Sequence, residues 1–283
     1  MATPNFGKYE VLQVIGAGAH SNVYKVCHRD TRKRFAIKHV TVEDASAQRF
    51  FRQLQNEYEL TRDLAHPNIA EVYDMVTRKR LLRVAEAYLV MEYVRGGPMT
   101  PDPRTYTFDE LVFYFRQVAD ALAYLHEQGT IHTDVKPKNI LITKRHLVKL
   151  VDFGQATRPG RSKGRIQGTF EFMAHEQVHD GVLDVRTDIF NLAASMYFML
   201  SGRHTPPVIA ATRGDIDFLP SRSRRPKSIR DVNPAVTSAL DDLLRYSCSR
   251  VRDDRPDTMA DFIERFEEAV DAEPSPPDEE TQE

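Results

Sequence analysis

Lys38, Glu57, Asp134, Lys136, Asn139 and Asp152 are residue types that phosphate chemistry needs, and they recur in an ordered series along the chain. His132-Thr133-Asp134 is followed closely by Lys136 and Asn139, and Asp152-Phe153-Gly154 follows the short apolar run Val148 to Val151. A hard magnesium ion takes oxygen ligands, usually one or two carboxylates together with phosphate oxygens and water. Asp152 and Asn139 offer a carboxylate and an amide oxygen from two neighbouring loops. Asp134 is then left to accept a hydroxyl proton, and Lys136 can neutralise charge on a phosphoryl group in transfer. Each of these residues taken singly is an ordinary turn residue. Their joint order carries the reading.

A second group lies nearer the N-terminus. Gly16-Ala17-Gly18 falls in the turn between two short strands, where glycines let backbone N–H groups approach a polyphosphate. The same glycines also suit a plain hairpin turn, and no Gly-Lys-Ser/Thr follows to make a Walker loop. Side chains alternate along a strand, so Ala36 and Lys38 share a face, a small residue beside a cation. That face can admit a flat base and neutralise phosphate; a snorkelling surface lysine is the other reading. On the long helix expected from about Ala45 to Leu64, Phe50, Leu54, Thr61 and Leu64 mark an inward stripe. Glu57 falls on it. An inward carboxylate needs a partner, and Lys38 is the natural one, unless Glu57 only borders the stripe.

The elements that must position these groups divide the chain in two. Short strand-like runs occur at Tyr9 to Ile15, Val23 to Cys27, Phe35 to Val40, Ala70 to Val76 and Ala87 to Tyr93. After Gly96-Gly97-Pro98 helical periodicity takes over. Thr107 and Glu110 have capping-box spacing before a helix running to about Gln128, with Gly129 as its stop. Further helices are expected over Asp188 to Ser201, Ala235 to Ser247 and Thr258 to Val270. The acidic, proline-containing stretch 271–283 reads as a disordered tail. A cleft between a sheet-rich and a helical lobe is where a ligand would bind.

Composition narrows the classes further. The 283 residues are 41% hydrophobic and carry a formal net charge of −2, which speaks for a packed core and against a nucleic-acid-binding domain. The basic run Arg222, Arg224, Arg225 and Lys227 reads as a solvated loop. Cys27 and Cys248 alone cannot form a disulfide framework or a zinc site, and they suit a reducing cytoplasm. No run reaches the length of a membrane span, so a soluble, cytoplasmic protein without membrane insertion is expected. The sequence assigns no oligomeric state.

Taken in order, these motifs resemble those of eukaryotic-type (Hanks-type) serine/threonine protein kinases, in the style of the bacterial eukaryote-like kinases, over roughly Tyr9 to Val270. The resemblance implies an α+β, bilobal kinase-like fold. Its small antiparallel-sheet N-lobe with helix C would span about 9–93, the hinge about 92–97, and the larger, mainly helical C-lobe about 98–270, all within a kinase domain of residues 1–270. It also implies ATP and Mg2+ (or Mn2+) as cofactors and a protein substrate offering serine or threonine. By resemblance Gly16, Ala17, Gly18, Ala19, His20 and Ser21 form the glycine-rich loop, Lys38 and Glu57 the ion pair, Asp134 the catalytic base and Lys136 the γ-phosphate contact. Asn139 and Asp152 become the metal ligands. Met91 is the gatekeeper, the backbones of Glu92 and Val94 bond adenine, and Ile15, Val23, Ala36 and Leu141 sandwich the ring. Glu176 would pair with Arg255, Thr169 would position the acceptor, and Asp188 would brace the catalytic loop from within the helical lobe.

The sequence departs from the family pattern at identifiable points. Thr133 replaces the arginine that usually engages a phosphorylated activation loop, which makes the chain non-RD and predicts activity independent of that phosphorylation. Ser21 stands at the third glycine position, His175 at a proline, Ala193 at a glycine, and Thr61 at an apolar helix-C position, where it would loosen the active alignment. Two other readings of the residues are a nucleotide-binding pseudokinase scaffold and a small-molecule kinase of the aminoglycoside or choline type. Retention of every ionic group weighs against the first. Lys136, the Gly168 to Glu176 segment and Arg255 weigh against the second.

Overall fold

Strict alternation along two strands makes a sheet that is apolar on both faces. In the computed structural model of the chain, β3 (Arg34–Thr41) and β5 (Arg83–Glu92) send Ile37, Tyr88 and Val90 to one face and Val40, Ala87 and Leu89 to the other. Tyr24, Val26 and the N-terminal Phe6 cover the first face. The second takes the helix α1 (Gln48–Thr61), which inserts Phe51 and Leu54. With β1 (Tyr9–Ala17), β2 (Ser21–His28) and β4 (Val72–Arg80), the sheet has the order β1-β2-β3-β5-β4, with every neighbouring pair antiparallel.

The structure describes residues 4–272, except 19–20, 43–46, 81–82, 101, 103–104, 163–167, 179–180, 207–208, 213–214 and 219–225. Ala19 and His20 of the loop, Arg222, Arg224 and Arg225 of the basic run, and all of the acidic tail beyond Ala272 lie outside the described residues.

The chain leaves β5 through Tyr93 to Arg95 and at once pairs again. β6 (Gly96–Pro98) joins β7 (Ile140–Thr143) and β8 (Val148–Leu150) in a three-stranded antiparallel sheet. The end of the expected hinge is therefore a strand. Gly96 is needed there: a Cβ would come within 2.0 Å of the Ile142 carbonyl oxygen.

The helical lobe follows from local signals. α2 (Phe108–Glu127) starts at Thr107 with both bonds of the capping box and stops before Gly129, whose φ of +69° is left-handed. α4 (Val185–Ser201) follows the short α3 (His175–Val178) and is buried along nearly its whole length. A hairpin of β9 (Ile209–Thr212) and β10 (Asp215–Phe218) comes next. α5 (Ser238–Ser247) and α6 (Met259–Asp271) begin at Thr237 and Thr258, whose hydroxyls accept N–H bonds from Leu240 and Asp261. Leu122, Phe190, Tyr197, Leu244 and Phe262 belong to the one large core of this lobe. The bilobal α+β architecture expected from the sequence is thus the observed one. Among the described residues no helix is long and apolar enough to cross a membrane.

Candidate active site

The cleft between the lobes encloses about 380 Å³. Ala36 and Lys38 both face it, as strand alternation predicts, and Ile15, Gly16, Ala17, Gly18, Ser21, Val23, Met91, Glu92, Val94, Leu141 and Asp152 line it as well. All the sequence-selected nucleotide residues that fall within the described part of the chain are therefore gathered around one cavity. Ala70 and Val72 line it too and carry no motif signal of their own, while Phe153 comes from Asp152-Phe153-Gly154 and Tyr93 from the expected hinge. The turn that closes the loop is set by the backbone, with Gly18 N–H donating to the Ser21 carbonyl at 2.7 Å.

Glu57 is on the inward face of α1. Its carboxylate is 1% exposed and lies 2.7 Å from the Lys38 ammonium, which is also 2.8 Å from Asp152. The borderline position for Glu57 and the surface role for Lys38 are both excluded. Burial alone would lower the Lys38 ammonium, but the two carboxylates prevail and hold it above the ordinary lysine range. Lys38 in turn draws the Asp152 carboxyl down to about 2, against the effect of burial. Leu54, Glu57 and Thr61 are buried as the expected stripe requires; Phe51 is buried in addition, with the expected Phe50 half-buried beside it. Thr61 does not disturb the alignment. Its buried hydroxyl donates to the Glu57 carbonyl one turn back at 2.6 Å, so no polar group is left unmatched.

Asp134, Lys136 and Asn139 do not line the cleft cavity but lie beside it, where Lys136 joins two groups. Its ammonium lies 2.7 Å from Asp134 Oδ2 and 2.8 Å from Thr169 Oγ1. Asn139 Nδ2 also donates to the Asp134 carboxylate, at 3.1 Å, and to the Asp134 carbonyl, at 2.9 Å. Asp134 is therefore less free than the sequence suggested. One carboxylate oxygen is committed to Lys136 and Asn139, and the other faces Gly168, where an added Cβ would sit 3.4 Å from it. Because its N–H₂ end is occupied, the Asn139 amide oxygen is turned away from Asp134. Val151 N–H donates to the Asn139 carbonyl and ties this loop to the one bearing Asp152.

Two residues of the site have left-handed backbones: Thr133 with φ +62° and Asp152 with φ +63°. Such conformations cost of order 1–3 kcal/mol each for residues other than glycine and need outside support. Thr133 receives it from Asp188, whose carboxylate accepts from Thr133 N–H at 2.6 Å and His132 N–H at 2.8 Å. This is the bracing role expected of Asp188. The Thr133 hydroxyl donates to the Gln155 carbonyl, and Gln177 donates to the Thr133 carbonyl.

Several supporting contacts went unread in the sequence. His126 on α2 lies 2.8 Å from Asp188. His132 bonds the Val151 carbonyl and packs on Phe153, with ring centroids 4.7 Å apart. Burial lowers its pKa, which keeps it neutral. Lys149 reaches across from β8 to pair with Glu92 at 2.8 Å and with the Ile69 carbonyl, fixing the end of β5. Asn56 on α1 donates to the Ala156 carbonyl at 2.9 Å and links the two lobes beyond the Lys38 pair. His132 stands in the motif read above, but His126, Lys149 and Asn56 belong to no spaced motif and become visible only when distant segments meet.

Glu176 and Arg255 are paired as expected, at 2.8 and 3.0 Å. Burial would raise the Glu176 carboxyl, and the Arg255 guanidinium outweighs it and holds it low. Arg255 has no exposed side-chain surface, packs on Phe190 and also donates to the Arg186 and Ser249 carbonyls. Arg255→Met therefore leaves a buried carboxylate without its cation. The expected cost is about 3–5 kcal/mol in urea denaturation, whereas Arg265→Met, on an exposed ion pair, should cost under about 1 kcal/mol.

The family model described as "Protein kinase domain" matches residues 9–265. The chain is 27% identical over 280 residues to the serine/threonine-protein kinase PrkC of Bacillus subtilis, covering 94% of this chain and 41% of that one. It is 29% identical over 278 residues to PknH of Mycobacterium bovis, covering 94% and 44% respectively. The chain thus spans about two fifths of the length of these relatives. Among solved structures, the kinase domain of Mycobacterium tuberculosis PknI, crystallised as a point mutant, superimposes with a TM-score of 0.71 at 25% identity, over 95% of this chain and all of that one. The family match takes in β1 and most of α6 together with every residue gathered in the cleft, and on that extent the chain belongs to the protein kinase domain family.

Proposed function

We propose that residues 1–270 act as a serine/threonine protein kinase, with an N-lobe of about 9–93, a hinge of about 92–97 and a C-lobe of about 98–270. The observation that carries this reading is a pair of charged side-chain clusters, one lining the cleft and one beside it, close enough for Lys136 to act on the Asp152 carboxyl. Glu57–Lys38–Asp152 lies where phosphates enter, and Asp134–Lys136–Thr169 lies where a hydroxyl would approach.

In this reading the adenine ring lies between Ile15, Val23, Ala36 and Leu141, with the Glu92 and Val94 backbones as its hydrogen-bonding edge and Met91 at the rear wall. Lys38 holds the phosphates. The acceptor hydroxyl oxygen attacks the γ-phosphorus in line, the bond from that phosphorus to the bridging oxygen breaks, and ADP leaves with the bond's electron pair. Asp134 orients the hydroxyl and takes its proton late. Lys136 moves its charge toward the phosphoryl oxygens, and Thr169 fixes the acceptor side. The donor set suits magnesium, since the Asn139 amide oxygen and the Asp152 carboxylate sit on two loops tied by the Val151–Asn139 bond. Among the described residues no cluster of three or more histidine, cysteine or acidic side chains forms an all-protein metal cage, in keeping with an ion that takes its remaining ligands from phosphate and water. Bound there, magnesium would neutralise charge on the polyphosphate.

The kinase is of the non-RD type. Among the described residues, the segment after Gly154 is tied by neutral bonds from Thr133 to Gln155 and from Asn56 to Ala156, by the Ile131–Thr157 and Arg161–Leu183 bridges, and by the Lys136–Thr169 bond. None needs a phosphate. Replacing Thr157 and Ser162 together by alanine should change kcat/KM by less than about threefold; a loss beyond about tenfold would contradict this independence.

Incubation with γ-labelled ATP, magnesium and an unstructured acceptor protein, followed by mass-spectrometric mapping, tests the whole reading. Label on serine and threonine is expected. Nucleotide binding without any transfer would point to a scaffold instead, and label on a small hydroxylated molecule but on no polypeptide would point to a small-molecule kinase.

A further inference from the structure

A second cavity, of about 460 Å³, opens beside the Lys136–Thr169 pair and shares Lys138 with the nucleotide cleft. Its walls are aromatic. Phe198 of α4 stacks on His204 with centroids 4.3 Å apart and planes 11° from parallel, and Phe172 meets both rings edge-on at 5.8 and 5.4 Å. Met99, with no exposed surface, adds to the floor. His204 is an exposed residue, and its ring adds to the wall through its stack on Phe198. The charged lining residues are Lys136, Lys138 and Glu171, two cations against one acid among the described residues.

We infer that this cavity is a specificity subsite that takes a large apolar side chain, aromatic or branched aliphatic, from the polypeptide substrate close to its acceptor serine or threonine. The inference rests on the kinase reading and adds to it the class of sequence phosphorylated. Three observations commit the occupant. The cavity shares Lys136 and Thr169 with the acceptor side of the reaction centre, so whatever fills it is continuous with the group being phosphorylated. Each residue of an extended chain advances about 3.3–3.6 Å, which places the recognised side chain about one to four positions from the acceptor. The balance of charge also selects. An arginine or lysine entering this space would lose water beside Lys136 and Lys138 and would have Glu171 alone to pair with, whereas an apolar side chain exchanges water for aromatic contact. Apolar pockets discriminate by roughly 10- to 200-fold per well-placed group.

The test uses the whole chain and synthetic peptides with a single serine or threonine. Phe, Leu, Arg and Asp are placed in turn at each of the four positions on either side, and kcat/KM is measured for each. A preference of at least about tenfold for Phe or Leu over Arg is expected at one or two positions. Phe198→Glu should reverse that preference at the same position and leave the KM for ATP unaltered. His204→Glu, a change at an exposed ring, is the second variant and should move the preference in the same direction even if Phe198→Glu fails to fold. Phosphorylation with a flat profile at all positions overturns the inference while the kinase reading stands. So does an apolar preference that His204→Glu leaves intact. Transfer to none of the peptides, under conditions where the chain phosphorylates an unstructured acceptor protein, overturns it as well. Absence of transfer to any polypeptide overturns both.

Discussion

Asp134→Asn should reduce kcat by roughly 10²–10⁴-fold, the range that a positioned general base contributes, and leave ATP affinity within about threefold of the parent. The substitution keeps shape and removes charge. The parent carboxylate takes two bonds at one oxygen, from Lys136 and from Asn139, and turns its other oxygen toward Gly168. An amide can still accept one of those bonds, so the loop keeps its fold. It cannot accept the proton of an incoming hydroxyl, and it no longer balances the Lys136 ammonium. The loss should therefore fall on kcat, read by steady-state kinetics, with nucleotide affinity read separately by fluorescence titration. Turnover within about tenfold of the parent would remove Asp134 from the chemistry. Equal losses in ATP affinity and kcat would instead mean that the loop had moved.

Much of this site was legible because its signals are local or strictly ordered. The capping box at Thr107 and Glu110 involves residues three apart and needs no tertiary information. Ala36 and Lys38 share a face through strand geometry alone, and the structure puts both in the cleft. The start of α1 was less legible, since its N-cap is Ala47 with no side-chain bond to mark it. Its stripe holds at Leu54, Glu57 and Thr61 and is ambiguous at one aromatic position. With so few apolar positions on a 14-residue helix, adjacent Phe50 and Phe51 are both consistent with the period, and only packing against Val40 and Leu89 decides for Phe51. The outer half of β4, Thr77 to Arg80, carries polar and basic side chains with no alternation, and pairing with Ala87 to Arg83 makes it a strand. Lys149–Glu92 and Asn56–Ala156 lie outside any spacing rule, because each joins segments that only the folded lobes bring together.

The same dependence on tertiary context makes Lys38 the residue whose loss should reach furthest. One ammonium neutralises two carboxylates, Glu57 with almost no exposed surface and Asp152 half-exposed to the cleft. Lys38→Met should lower turnover by at least about 10²-fold, the scale for removing one preorganised charge from a reacting centre. It should also destabilise the fold by about 3–5 kcal/mol, because Glu57 is left buried with no cation. The double variant Lys38→Met with Glu57→Leu separates the two effects. It replaces the buried pair with apolar groups, so stability in urea should largely return while turnover stays low. A single variant as active as the parent would end the assignment. A titration signature accompanies the kinetics. In the parent, Lys38 holds the Asp152 carboxyl at about 2, below its ordinary value, so the stabilisation from this contact is complete above the ordinary carboxylate range and is lost as pH falls toward about 2. With methionine at position 38 the Asp152 titration, followed by carboxyl NMR, should move up toward about 4. A carboxyl that stays near its parent value would mean that something other than Lys38 keeps it ionised.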